Sequence, residues 1–177
     1  MNERADLLAA INANAIVRGD FILSSGGHAT SYIDLRRIAL DGRLAPLVGR
    51  VMLALTWDLG YEAVGGLTLG ADPVAAAIMH AAARRGTPVD AFVVRKEAKE
   101  HGAQRRIEGP DVKGRRVLAV EDTSTTGKSV LTAVDALREA GAEVVGVAVL
   151  VDRGATAKVA EYGLPYRAAY DVSELDL

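Results

Sequence analysis

The chain has 177 residues, half of them hydrophobic and a quarter charged, with a formal net charge of -2. That length and balance suit one domain around a single core, and they supply no basic field that would argue for nucleic acid. The absence of cysteine excludes disulfides, thiolate metal sites and a cysteine nucleophile, and it fits a cytoplasmic protein.

The first residues, MNERADLLAAI, carry Glu3 and Asp6 and no long apolar run, so they do not read as a signal peptide. No stretch reaches the roughly 18 apolar residues of a membrane span. Residues 3 to about 17 set Leu7, Leu8, Ile11 and Ala15 at helical spacing, with Gly19 as a stop. Phe21 to Leu23 is a short strand candidate, and the glycine- and serine-rich SSGGHATS that follows is a loop. Ser31 to Leu35 is a second strand that can pair with the first. Residues 42 to 59 form a helix with Leu44, Leu47, Val48, Val51, Met52 and Leu55 on one broad face.

Tyr61 to Gly65 is a strand, GLTLGAD a turn, and Pro73 to Arg85 an alanine-rich helix with proline in its first turn. His80 falls on this apolar helix and reads as packing. Trp57 reads as core or as an interface between subunits. Val89 to Arg95 is a strand, and Lys96 to Gly114 a charged segment with no apolar period. Val117 to Val120 is a buried strand, Ser129 to Ala140 a helix closed by Gly141, and Val144 to Val151 another apolar strand. Alternation of this kind predicts an α/β fold with a mainly parallel central sheet flanked by helices. One domain spanning residues 1–177 is expected.

Chemistry concentrates in VLAVEDTSTTGKSV, from Val117 to Val130. A strand, a Gly/Ser/Thr turn and a helix N-terminus make a phosphate cradle of backbone N–H groups, here Thr123, Ser124, Thr125, Thr126, Gly127, Lys128 and Ser129. Gly127-Lys128-Ser129 matches the tail of a Walker A loop. The spacing fails, because that motif needs a glycine where this chain has Asp122. Glu121 and Asp122 would repel phosphate, so they need another partner, either a sugar diol or the hydration shell of Mg²⁺. A ribose 5-phosphate bearing a 1-diphosphate satisfies both halves of the motif. The alternative is a plain strand-to-helix connection with an acidic cap.

This stretch resembles the phosphoribosyl-diphosphate signature of the type I phosphoribosyltransferases. The segment FVVRKEAKEHGAQRRIEG narrows the resemblance, since it is similar to the RKxxKxHG segment of the orotate phosphoribosyltransferases. FILSSGGHATSYIDLR, GGLTLGADPVAAA and LVDR resemble further segments of that family, in order from about residue 21 to 153. The resemblance implies the type I fold with a small N-terminal hood over about residues 1–35. It implies transfer of phosphoribose to orotate, giving orotidine 5′-phosphate and diphosphate in pyrimidine synthesis. A purine or uracil phosphoribosyltransferase, or a nucleotide-sensing regulator on the same fold, is the alternative.

Site roles follow from the same resemblance. Arg95, Lys96, Lys99 and His101 would clamp the diphosphate, with the loop reaching a neighbouring subunit's site in a homodimer. Glu121 and Asp122 would fix the ribose, and Lys99, His101, Glu121 and Asp122 form the catalytic set. Mg²⁺ would be held mainly by substrate oxygens and waters near Glu121 and Asp122. Thr125 and Arg153 would read orotate, with Tyr32 and Ile33 as apolar floor or core. For Arg153 the alternative is an ion pair with Asp152. The chain departs from many relatives where Ser24 and Gly70 replace lysines, so those two ligand roles are not carried over. No nucleic acid and no membrane are expected as partners.

Overall fold

The computed structural model describes residues 2–22, 26–97 and 106–177. Helix α1 (Glu3–Asn14) is followed by strands β1 (Ile16–Ile22) and β2 (His28–Ile33) and the short helix α2 (Arg36–Ala39). Helix α3 (Ala45–Thr56) then leads through a 3₁₀ turn, Trp57–Leu59, to strand β3 (Ala63–Leu67) and helix α4 (Ala71–Arg84). Strands β4 (Asp90–Val94), β5 (Ile107–Glu108) and β6 (Arg116–Ser124) come next, then helix α5 (Lys128–Glu139) and strand β7 (Glu143–Asp152). Helix α6 (Thr156–Ala160), strand β8 (Tyr166–Asp171) and a 3₁₀ turn, Val172–Glu174, complete the order.

Six strands form one sheet in the order β5-β4-β3-β6-β7-β8. The pairs β3–β4, β3–β6, β6–β7 and β7–β8 are parallel, and β5 runs antiparallel on the edge. Burial on both faces explains the apolar runs. In β6, Leu118 and Val120 join the core shared with α1, α3 and α4, while Val117 and Ala119 join the core under α5. The alternation follows from the two-residue period of a strand.

The connections from β3 lead outward through β4, and those from β6 lead the other way through β7 to β8. Neighbouring β3 and β6 therefore form a topological switch point, where a crevice opens at the carboxyl ends of the strands. Beside the main sheet, β1 and β2 pair antiparallel, from Ile16 opposite Ile33 to Ile22 opposite His28. Leu7, Ile11 and Ala15 anchor this part of the chain to the α3 core.

Several boundaries differ from the sequence reading. The first helix ends at Asn14, and β1 begins two residues later and runs through Gly19, which does not act as a stop. Ala15 keeps the helical spacing yet serves as the cap, so periodicity overran the boundary. Residues 28–30, read as loop, belong to β2, which begins three residues before the expected strand. Strand β6 extends past Val120 through both acids to Ser124, which shortens the following turn to residues 125–127. His80 is exposed rather than packed, and Trp57 is 41% exposed and so is not core. Elements α2, β5, α6 and β8 went unread.

Candidate active site

Five strand ends and two helix starts converge at the site. Strand β6 delivers Glu121, Asp122 and Thr123, and α5 opens with Lys128 and Ser129. Strand β3 delivers the Thr68–Gly70 turn, β4 leads to Lys96, β7 leads to Arg153, and β2 with α2 contributes Tyr32, Ile33 and Arg36. Apart from Lys128, these side chains and turns line a cavity of about 310 Å³.

The acids sit in a tight cradle. Glu121 is 5% exposed, and a Cβ on Gly70 would overlap its Oε1 and fall 2.7 Å from Asp122 Oδ1. Burial, with the Asp122 charge second, pushes the Glu121 carboxyl up to about 8. Burial also raises Asp122, against the opposing pull of the Thr123 N–H, which donates to its Oδ1 at 2.7 Å, and of the Arg36 charge. Like charges this close and this dry cannot both ionise freely. Asp72 adds a third carboxylate: its Oδ2 accepts from the Thr68 hydroxyl at 2.7 Å, while its buried Oδ1 has no hydrogen-bond partner among the described residues.

The turn after β6 reverses through Gly127, at φ 74° in the left-handed region, and then enters α5 without a side-chain cap. The first N–H groups of a helix lack intrahelical partners and face whatever anion lies beyond. Next to the acids, then, stands a set of donors suited to a phosphoryl group.

The donors around the acids are hard oxygens, which suits Mg²⁺. Among the described residues, no group of three or more His, Cys, Asp or Glu could hold an ion by itself. An ion here would need substrate oxygens and waters to complete its shell, which is the habit of Mg²⁺.

The phosphoribosyl transferase domain family matches residues 63–166, the span that builds β3 through the start of β8. An orotate phosphoribosyltransferase of Streptomyces avermitilis is 66% identical, covering 98% of this chain and 97% of the relative. The chain belongs to the orotate phosphoribosyltransferase family. Among solved structures, the Mycobacterium tuberculosis orotate phosphoribosyltransferase in complex with Fe(III) dicitrate has a TM-score of 0.90 at 54% identity, covering 99% of each chain. The Mycobacterium tuberculosis enzyme in complex with 5-phospho-α-D-ribosyl 1-diphosphate has a TM-score of 0.82 at 47% identity, covering 99% of this chain and 92% of that one. The type I phosphoribosyltransferase fold expected from the sequence is therefore the fold observed.

For this orotate phosphoribosyltransferase family member, the cavity brings together Lys96, Glu121, Asp122, Thr123, Ser129 and Arg153 of the expected site. Ser124, Thr125, Thr126, Gly127 and Lys128 belong to the strand end and turn beside it without lining it. Ser124 is buried, and its carbonyl accepts from the Arg153 N–H at 2.8 Å. Arg95 lies outside the lining, with its guanidinium 3.7 Å from Glu108. Lys99 and His101 fall outside the described residues, as does Ser24.

Asp152 is engaged away from Arg153. Its carboxylate accepts from the N–H groups of Gly154 and Ala155, the Thr156 hydroxyl and the Tyr166 hydroxyl, at 2.7–3.1 Å. Those bonds occupy the acid that the ion-pair alternative needed. Sequence reasoning assigned no role to Arg36, Thr68 or Asp72. The Arg36 signal was present, since it closes the quoted segment ending in IDLR, but only the tertiary fold turns it toward the acids.

Proposed function

We propose that the chain transfers the 5-phosphoribosyl group of phosphoribosyl diphosphate to orotate, giving orotidine 5′-phosphate and diphosphate in pyrimidine synthesis. The observation that carries this reading is the buried Glu121–Asp122 pair set beside the uncapped start of α5 in one cavity of a chain from this family. The α5 amides and Ser129 take the 5-phosphate. The acids take the ribose hydroxyls: an ionised Asp122 accepts, and a protonated Glu121 donates as well as accepts.

In the reaction the C1–O bond breaks, and its electron pair leaves with diphosphate. Orotate closes the new bond from N1 to C1 and gives up its N1 proton, for which the departing diphosphate oxygens are acceptors at hand, so no strong protein base is needed. Positive charge grows on the ribose ring beside Asp122, which stabilises it without moving. Lys96 faces the leaving group, joined by Lys99 and His101 from the loop. Asp122 and Glu121 are the residues that would hold Mg²⁺ through water or substrate oxygens. Bound there, the ion supplies charge neutralisation for the diphosphate. Arg153 and Thr125 read the base.

The active form is a homodimer in which the loop carrying Lys99 serves the neighbouring subunit's site. Residues 1–177 act as one catalytic unit, with residues 1–35 as a hood, in the cytoplasm and without nucleic acid or membrane partners. No helix among the described residues is long and apolar enough to cross a membrane. A spectroscopic assay with phosphoribosyl diphosphate and Mg²⁺, offering orotate, uracil and hypoxanthine in parallel, tests the reading. Consumption of orotate alone is expected. Consumption of hypoxanthine but not orotate would overturn it.

A further inference from the structure

Arg36 is the first residue of α2 and projects into the cavity from the side of β2. Its Nε donates to Asp34 Oδ1 at 2.8 Å, and its Nη2 donates to the Tyr32 hydroxyl at 3.2 Å. Nη1 takes part in neither bond. The guanidinium is thereby held at a fixed angle, with its charge felt by Asp122 across the cavity.

The neighbours of Arg36 suit a flat ring. Tyr32 is 43% exposed and Ile33 is buried, and both line the same wall of the cavity. Because the Tyr32 hydroxyl touches Nη2, a ring resting on Tyr32 has its edge next to the guanidinium. Among the described residues, the cations that line the cavity are Arg36, Lys96 and Arg153. Lys96 follows β4 and Arg153 follows β7, so Arg36 alone of the three stands on the Tyr32 wall. Gly70, the neighbour of the acids on the β3 side, carries no charge of its own.

We propose that Arg36 is a specificity-determining residue that binds the carboxylate of the pyrimidine substrate, while its partners Asp34 and Tyr32 hold it in position. A planar fork matches a carboxylate, which a lysine at the same place would meet as a point charge. A neutral pyrimidine would leave the outer N–H groups of this fork without a carboxylate to bind, and the mismatch selects for the acid. The inference rests on the reading of orotate as the substrate.

Steady-state kinetics on Arg36→Gln, Arg36→Lys and Asp34→Asn test it, alongside the thermal midpoint of each variant. Orotate turnover by the unaltered protein is measured first; its failure would sink the functional reading and not this inference alone. Arg36→Gln is expected to raise the KM for orotate roughly 10- to 100-fold, the scale of one charge-assisted pair. The KM for phosphoribosyl diphosphate should stay within about twofold, as expected if no contact to it is lost. Arg36→Lys should fall between, because charge is kept and the fork is lost. Asp34→Asn, which loosens the support but keeps the cation, should cost less than Arg36→Gln. An unchanged orotate KM in Arg36→Gln, or a rise in the diphosphate substrate's KM instead, would overturn the assignment. So would an equal loss in Asp34→Asn, which would give the role to the support. Should Arg36→Gln fail to fold, Arg36→Lys decides, and an unaltered orotate KM there would overturn the assignment.

Discussion

Gly70 packs so closely on Glu121 that a side chain at position 70 would require the carboxylate to turn aside. The turn after β3 is thus set directly against the acids at the end of β6, and in this chain it encloses them. Enclosure keeps Glu121 dry, and dryness raises its carboxyl.

Gly70→Ala should therefore damage the site more than the fold. Backbone φ at Gly70 is -60°, a value alanine adopts readily, so the strain falls on the acids. Overpacking of about 1–3 kcal/mol at that point should cost roughly 10- to 100-fold in kcat/KM for phosphoribosyl diphosphate. Activity equal to that of the parent would show that the turn relaxes and that the contact is not needed.

Glu121 makes stability depend on pH in the metal-free protein. Its folded carboxyl titrates at about 8, above the ordinary 4.5. Between those values the folded state holds a proton that the unfolded state releases. Stability should be greatest below the lower value and fall as pH rises toward 8, by at most about 1.4 kcal/mol per pH unit. Above 8 the loss is complete. Glu121→Gln should flatten that slope in thermal melts made with a chelator present. A parent whose midpoint does not decline between pH 5 and 8 would contradict the burial argument.

Asp152 works with the opposite sign. Burial raises its carboxyl, but hydrogen bonds from Thr156, Ala155, Tyr166 and Gly154 outweigh burial and hold it below its ordinary range. Its contribution is present above the unfolded value of 3.8 and is lost as pH falls through the lower folded value. Asp152→Ala strands several donors at the end of β7. A loss of about 2–4 kcal/mol is expected, read as a lower midpoint in thermal or urea unfolding. A shift under about 0.5 kcal/mol, the scale of an ordinary surface change, would show that water replaces the carboxylate at little cost.

Sharing of sites between subunits is tested by mixing. Lys99→Ala and Asp122→Ala should each be nearly inactive alone. Mixed under conditions that exchange subunits, about one quarter of the native activity should return, as one intact site in each mixed dimer implies. No recovery with exchange confirmed would place the loop in its own subunit's site.

Much of this was legible in the sequence because its signals are local. The apolar runs at Val117–Val120 and Val144–Val151 became the buried strands β6 and β7, and the EDTSTTG pattern marked the site before any tertiary information. What was missed depends on distant partners. β5 is two residues long and exists only through its pairing with Val93 and Val94. β8 carries Arg167 and Asp171 within a strand that alternation alone does not reveal, and it is stabilised by β7. Arg36 and Asp152 have ordinary local sequences, and their roles come from what the fold brings opposite them. The one reading that periodicity actively misled was the end of α1, where Ala15 fits both the helix face and its cap.

The central claim is that the buried acids and the neighbouring helix start together hold a phosphoribosyl diphosphate. Isothermal titration of phosphoribosyl diphosphate with Mg²⁺ into the native protein and into Asp122→Asn tests it most directly. The native protein should bind one equivalent per chain, and the variant should bind at least roughly tenfold more weakly, the scale of one lost charged contact. Equal affinity in the two proteins, or no binding to either with the fold intact, would contradict it.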